Sequence, residues 1–356
     1  MEGRARLELM LTLIVVLLTF GVLYIAQGNM NSFYIRVLNL AAIYAILALS
    51  LNLILGFTGM FSLGHAGFMC IGSYVAAILT MSPASKEIIY FMEPIHPWLA
   101  NVEWPIWPAI LLGGIIAALF GFLIGFPALR LRDDYLAIAT LGFAEIIRIV
   151  VTNVIPITNG ALGLKNIPSV DSLLVYWGCA IITIFVLMRI INSSWGYAFK
   201  AIRDNEIAAQ AMGINIFKHK LMSFAIGAFF AGIAGALMSF LITSIDPTMY
   251  RFTFTFQILL IVVLGGMGSL SGSVIAAVIF SIAMEVLRFV EQPMNLLGME
   301  VPGIPGMRMV IFSLALLLII LFYRRGLMGT NEFNWSWVLN RLGIRSSHRV
   351  KRGEAN

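Results

Sequence analysis

Few residues in this sequence have both the type and the setting to do chemistry. Four of them form two acid and base pairs inside apolar stretches, Glu145 with Arg148 and Glu285 with Arg288, each at i,i+3 and so on one helix face. A lone charge in lipid costs roughly 3 kcal/mol even on the lower scales, so each pair is expected to neutralise itself as a structural ion pair. A proton relay is the sharper alternative, but it needs a titratable acid without a permanent arginine beside it. The two cysteines, Cys70 and Cys179, stand alone in apolar runs and offer neither a disulfide framework nor a metal spacing. There is no Gly-Lys pair for a phosphate-binding loop, no H-E-x-x-H and no cysteine cluster. The chain is therefore expected to catalyse nothing by itself and to hold no metal or cofactor of its own.

What the sequence offers instead is glycine at unusual places. The segment LNLILGFTGMFSLGHAGFMCIGSY carries Gly56, Gly59, Gly64, Gly67 and Gly72 through an apolar stretch, and VVLGGMGSLSGSVIAA has the same character. Leu55-Gly56-x-x-Gly59 matches Leu264-Gly265-x-x-Gly268, and each is followed by Ser-Leu and a further glycine, with one extra residue in the first copy. Related breaks in two parts of a transporter point to a solute route, because irregular backbone at membrane depth is tolerated only where it lines a cavity or is buried in protein. Asn52, Gly56, Gly59, Ser62, Gly64 and His65 in the first break, and Gly265, Gly266, Gly268 and Ser269 in the second, are the candidate pathway residues. The competing reading is that these glycines merely let helices pack closely and that His65 is held by a structural hydrogen bond.

The elements that must position them follow from composition. Of 356 residues 60% are apolar and 11% charged, with a mean hydropathy of +0.95, where a soluble domain is about half apolar and a quarter charged. Long apolar runs without two-residue alternation select membrane helices over a barrel. The fold class expected is all-α and polytopic, with about ten spans near 9–25, 37–55, 66–81, 105–129, 135–155, 173–191, 220–244, 253–265, 274–290 and 307–323. The basic lead and long apolar core at the start read as an uncleaved first span.

If the N-terminus is cytoplasmic, fifteen Lys and Arg fall in inner segments and four, Arg36, Lys86, Lys165 and Arg251, in outer ones, which puts both termini inside. Spans 66–81 and 253–265 are short for a hydrocarbon core of about 30 Å, so either could be re-entrant, leaving eight crossings if both are. Residues 82–104 read as an ordered outer loop, with Trp98, Trp104 and Trp107 in an aromatic belt. Residues 1–330 form the expected transmembrane domain and 331–356 a basic cytoplasmic tail suited to the anionic inner leaflet. With the net charge of +6 distributed in this way, the bilayer and not nucleic acid is the expected partner.

The longest inner loop, 192–219, reads as a docking element. Asp204 or Asn205 can cap a short helix, Glu206 suits its positive first turn, and Gly213 supplies a left-handed stop before Asn215 caps the next helix. Ala208 and Ala209 form a small-residue face, with Ile207 and Met212 exposed. A conduit with a docking helix and no nucleotide site needs a separate engine.

Five segments in order, SLNLILGFTGMFSLGHAGFMCIGSYVAA, RLRDDYLAIATLGFAEIIR, TNGALGL, AIRDNEIAAQAMGIN and LLIVVLGGMGSLSG, resemble the LivM-type permeases of branched-chain amino acid ABC importers over roughly residues 37–325. In that family an E-A-A-x-x-x-G pattern marks the coupling helix seated on the ATPase, and Glu206, Ala208, Ala209 and Gly213 match it with one residue inserted after the glutamate. The resemblance implies a second homologous permease, two cytoplasmic ATPase subunits that bind ATP and Mg, and an extracytoplasmic binding protein that selects leucine, isoleucine or valine. It also implies a bacterial-type inner membrane. Close relatives move urea or short amides, and an ion-coupled secondary transporter is the rival from another class.

Overall fold

The computed structural model describes residues 2–131 and 133–291, together with 294–296, 299–301, 306–307, 310–311, 313–314, 317, 326–329 and 332. Apart from those positions, the expected tenth span at 307–323 and the tail 331–356 lie outside the described residues.

The described chain is almost wholly helical. Its helices are α1 (Glu2–Asn29), α2 (Ser32–Asn52), α3 (His65–Thr80), α4 (Pro83–Ile89), α5 (Pro97–Ala100), α6 (Ile106–Ala128) and α7 (Asp133–Asn153). There follow α8 (Ile155–Thr158), α9 (Leu173–Ile191), α10 (Ser194–Asp204), α11 (Glu206–Ala211), α12 (Ile216–Ile242), α13 (Phe252–Gly265) and α14 (Leu270–Val286). A short antiparallel hairpin, β1 (Met294–Leu296) with β2 (Met299–Val301), follows α14 in the interval between the expected ninth and tenth spans. Among the described residues, five helices are long and apolar enough to cross a membrane: α2 with its continuation to Phe57, α6, α7, α9 and α12. The helices α13 and α14 are apolar but shorter, and α3 turns by 117° into α4 instead of running on.

Loop contacts sort the helix ends into two layers. At one end, here called distal, the His96 amide donates to Pro156 O (3.1 Å), Trp104 N to Leu79 O (2.7 Å), and Leu164 pairs with Ile245 in an antiparallel bridge. Loops 81–105, 154–172 and 243–251 therefore meet there. At the other end, proximal, loop 192–215 reaches the segments after α2 and α13, and Leu327 N bonds Leu264 O at 2.8 Å. Successive helices from α2 to α14, counting only α2, α3, α6, α7, α9, α12, α13 and α14, accordingly alternate in direction.

The centre is α2, apolar all round and buried from Ala41 to Asn52, as expected for a helix surrounded by others. Beside it α3, α6 and α12 form the most extensively packed triple. Their contact is made by glycine without side chains: a Cβ on Gly72 would stand 2.1 Å from Gly232 O, and one on Gly232 2.9 Å from Gly113 O. Without a hydrophobic drive between helices in lipid, such backbone approach is what gains dispersion energy.

Several boundaries correct the sequence reading. Gly67 and Gly72 lie inside α3, within the expected third span, facing Ala144 and Gly232, so the first break ends at Gly64. The ninth span begins at Leu270 instead of 274, because Ser269 caps it, and ends at Val286, where Leu287–Glu291 winds as a 3-10 turn. Arg288 thus sits beyond the span at the distal end while Glu285 remains within it. The seventh span starts at Ile216, capped by Asn215, four residues before its expected start at Lys220.

Candidate functional site: two joined breaks under a docking loop

The first break starts where α2 loosens into a π turn, Leu53–Phe57, and continues without helix to Gly64. A π turn and the irregular residues after it leave amides and carbonyls without helical partners. Neighbouring helices supply them. Leu63 N donates to Thr140 Oγ1 of α7 (3.0 Å) and Ala66 N to Thr255 Oγ1 of α13 (3.1 Å). Thr58 Oγ1 donates to Leu53 O at 2.9 Å and meets Ser223 Oγ of α12 at 2.7 Å. Except around Gly59 and Phe61, the irregular backbone is thus buried in protein, as lipid requires.

The second break is the turn from Gly265 to Ser269. Gly266 (φ +112°) and Gly268 (φ +89°) lie on the side of backbone space that side chains rarely adopt. Gly59, the motif equivalent of Gly268, has φ +78°, so the sequence match between the copies extends to backbone conformation at this position.

The two breaks touch. Asn52 Nδ2 donates to Ser269 O (2.9 Å) and to Ser273 Oγ (2.8 Å), and its Oδ1 accepts from Gly268 N (2.8 Å). Ser269 caps α14 through Gly272 N at 3.1 Å. The sequence-predicted residues Asn52, Gly56, Ser62, Gly64, His65, Gly265, Gly266, Gly268 and Ser269 are all buried in this chain, whereas Gly59, with neighbouring Phe61 and Met267, is exposed. His65 is fully buried and its Nε2 meets Ser50 Oγ at 2.7 Å. In this arrangement the polar groups of Asn52 and His65 Nε2 face protein.

Two further segments close the second break. The amides of Leu327 and Met328 donate to the last carbonyls of α13, on Leu264 (2.8 Å) and Gly265 (3.2 Å). Glu332 caps α14, its Oε1 accepting from Leu270 N (2.6 Å) and its Oε2 from Ser271 Oγ (3.1 Å). A carboxylate at a helix N-terminus satisfies both an orphan amide and the helix dipole.

The docking loop is built as its sequence specifies. Asn205 caps α11 by accepting from Ala208 N at 3.0 Å. At Gly213 (φ +83°) the helix stops, with Ile214 N bonded to Ala209 O at 3.1 Å. Asn215 then caps α12 through Lys218 N at 3.0 Å. Ala209 is buried, Glu206 pairs with Lys220, and Ala208 faces outward. Ile207 and Met212 are 83% and 82% exposed, among the most exposed large apolar side chains described. A cavity of about 550 Å³ lies beside this helix, lined by Leu129, Arg130, Glu206, Gln210, Phe217 and Lys220 among others.

Both predicted ion pairs form. Arg148 Nε lies 2.7 Å from Glu145 Oε2 within α7, and Arg288 Nη1 3.1 Å from Glu285 Oε1. Among the described residues no group of three or more His, Cys, Asp or Glu side chains is placed to hold a metal. At the distal end, Lys86 is buried and donates to Leu99 O (2.9 Å) and Val102 O (2.5 Å), and burial pulls its ammonium below the usual lysine range against the opposing charge of Glu103.

The residues that sequence reasoning missed are the closers: Thr140, Ser223, Thr255, Arg203 and Glu332. A hydroxyl in an apolar helix was the available signal for the first three. Nothing local marks Arg203 or Glu332.

A family model described as "Branched-chain amino acid transport system / permease component" matches residues 33–321. The chain is 33% identical over 299 residues to the high-affinity branched-chain amino acid transport system permease protein LivM of Salmonella typhimurium strain LT2, covering 74% of this chain and 66% of that protein. It is 32% identical over 326 residues to LivM of Escherichia coli K12, covering 82% and 71%. Similarity extends to the permease protein LivH of the Salmonella system at 25% identity over 285 residues, covering 73% and 85%. The chain thus spans about two thirds of the length of the LivM proteins it matches most strongly. No solved structure matches it. Paired glycine breaks beneath a capped loop helix in a membrane protein whose described residues are almost wholly helical, and a family match over most of the chain, lead to one assignment: this chain belongs to the branched-chain amino acid transport permeases of the ABC transporter class, as a LivM-type member.

Proposed function

We propose that this chain is the transmembrane permease subunit of an importer that moves leucine, isoleucine and valine into the cytoplasm, with ATP and Mg bound and ATP hydrolysed by two separate ATPase subunits. A second, LivH-like permease completes the pathway and an extracytoplasmic binding protein delivers the solute. The chain crosses a bacterial-type inner membrane about ten times with both termini in the cytoplasm, so that the proximal end faces inward. The fifteen-to-four distribution of Lys and Arg supports this direction.

The observation that carries the reading is the helix α11, capped at both ends and presenting Ile207 and Met212 to solvent beside the joined breaks. A surface helix that exposes its large apolar side chains needs a partner with a cleft. Glu206, Ala208, Ala209 and Gly213 form that docking element. The breaks lie next to it, and a zwitterion passing between two permeases would meet their backbone and small polar groups once these part from their present protein partners.

The test is purification from membranes in mild detergent with identification of the accompanying chains, followed by reconstitution. Two ATPases and a second permease should co-purify, and vesicles supplied with the binding protein should take up leucine only with ATP inside. A chain that purifies alone and moves solute down an ion gradient without ATP would overturn the proposal.

A further inference from the structure

One side chain joins the docking loop to both breaks. Arg203 stands at the end of α10, two residues before the cap of α11. Its Nη1 donates to Gly56 O at 3.0 Å, while Nε and Nη2 both reach Asp204 Oδ1, at 3.0 and 2.9 Å. A guanidinium fixed by a neighbouring carboxylate keeps its remaining donor aimed, which an ammonium on a flexible stem does not.

The fit around it is close on both sides. A Cβ on Gly59 would lie 3.1 Å from the Arg203 Cα and 3.0 Å from its Cγ, and a Cβ on Gly268 3.1 Å from its Nη1 and 3.3 Å from Gly56 O. Both glycines have positive φ. The matched positions of the two glycine motifs therefore each abut the same arginine, one against its backbone and the other against its guanidinium. Lys200, one helical turn earlier on α10, adds a second contact with its Nζ 5.9 Å from the centre of the Phe57 ring. A change at either glycine therefore also bears on the docking loop.

From this geometry we infer that Arg203 is the positioning residue through which the docking loop sets the register of the two breaks. It acts on the solute route through Gly56 and Gly268 and needs no contact with solute. Displacement of α10 and α11 by a partner would draw the guanidinium from Gly56 O and release the Asn52–Gly268 junction behind it. The role in transport rests on the function proposed above; the structural link does not.

Hydrogen exchange on the full chain in lipid nanodiscs reads the link directly. Arg203→Gln should speed exchange several-fold at Met60 and also at Gly268, which lies 65 residues after Arg203, while the α3–α6–α12 core keeps its protection. Arg203→Lys, which keeps the charge and loses the fork, should give an intermediate rate at both sites and guards against a variant that fails to fold. Faster exchange confined to residues 194–213, with 264–270 unchanged in both variants, would overturn the inference. In the reconstituted complex, Arg203→Lys should raise the ATP hydrolysed per leucine transported at least threefold, with hydrolysis itself less affected; uptake and hydrolysis falling in equal proportion would mark an ordinary structural role and also overturn it. If no ATPase assembles on the wild-type chain, the proposed function fails while the exchange result still decides the link.

Discussion

The two ends of the helix bundle are closed by different chemistry. Distally, loops are joined by backbone hydrogen bonds, Trp104 to Leu79, His96 to Pro156 and Leu164 with Ile245, and by the buried ammonium of Lys86 on two carbonyls. Proximally, the backbone bonds of Leu327 and Met328 on the end of α13 are joined by three side-chain closures, Asn52, Arg203 and Glu332. A backbone pair is fixed by the path of the chain, whereas a side chain can release its partner by changing rotamer. The difference identifies the proximal end as the adjustable one, which is where a partner that changes shape would have to act.

The comparison can be broken most severely at Asn52. Asn52→Leu leaves the Gly268 amide buried without an acceptor and removes two donated bonds, and should lower stability by about 3 kcal/mol. The expected measurement is a reduced unfolding midpoint in detergent, with exchange raised first at residues 264–273. Loss of distal protection first would mean that the ends are not independent.

Lys86→Met probes the opposite end. The apolar stem is retained, but the carbonyls of Leu99 and Val102 lose their donor, for a cost of about 2 kcal/mol. Proteolysis of residues 82–104 from the distal side should accelerate while the breaks stay protected.

Glu332→Ala should cost about 1 kcal/mol as a lost cap, confined to α14 and the second break. Exchange at Leu270 and Ser271 should rise with the first break unaffected, and an equal rise at Leu63 would show that the breaks open together.

The smallest effect is a pH dependence at the distal end. Burial lowers the Lys86 pKa below its usual 10.5, so between the folded and unfolded values the unfolded chain binds more protons and stability rises with pH. That rise, followed by thermal unfolding in the alkaline range beneath 10.5, should flatten in Lys86→Met.

How much of this was legible in the sequence depends on the range of the interaction. Caps and stops are local, so Asn205, Gly213 and Asn215 could be named from neighbouring residues, and each adopts its expected geometry. The i,i+3 pairs Glu145–Arg148 and Glu285–Arg288 form for the same reason. The breaks were visible as glycine clusters, and the first ends where the expected third span begins; what Gly67 and Gly72 pack against was not visible, because the approach of Ala144 and Gly232 is a tertiary contact. The junction of the two breaks through Asn52 spans more than 200 positions, and no periodicity encodes a contact of that kind.

The cap on α14 has a consequence for biogenesis. Leu270 waits for Glu332, 62 residues later, and at roughly 5–20 residues per second that delay is about 3–12 s after the helix start has been made. During synthesis the amides of Leu270 and Ser271 therefore lack this acceptor until residue 332 has been made, while those of Gly268 and Gly272 have theirs already in Asn52 and Ser269. A chain cut short before residue 332 would never complete this step, and the first amides of its α14 would keep no acceptor, a difference that quality control can read.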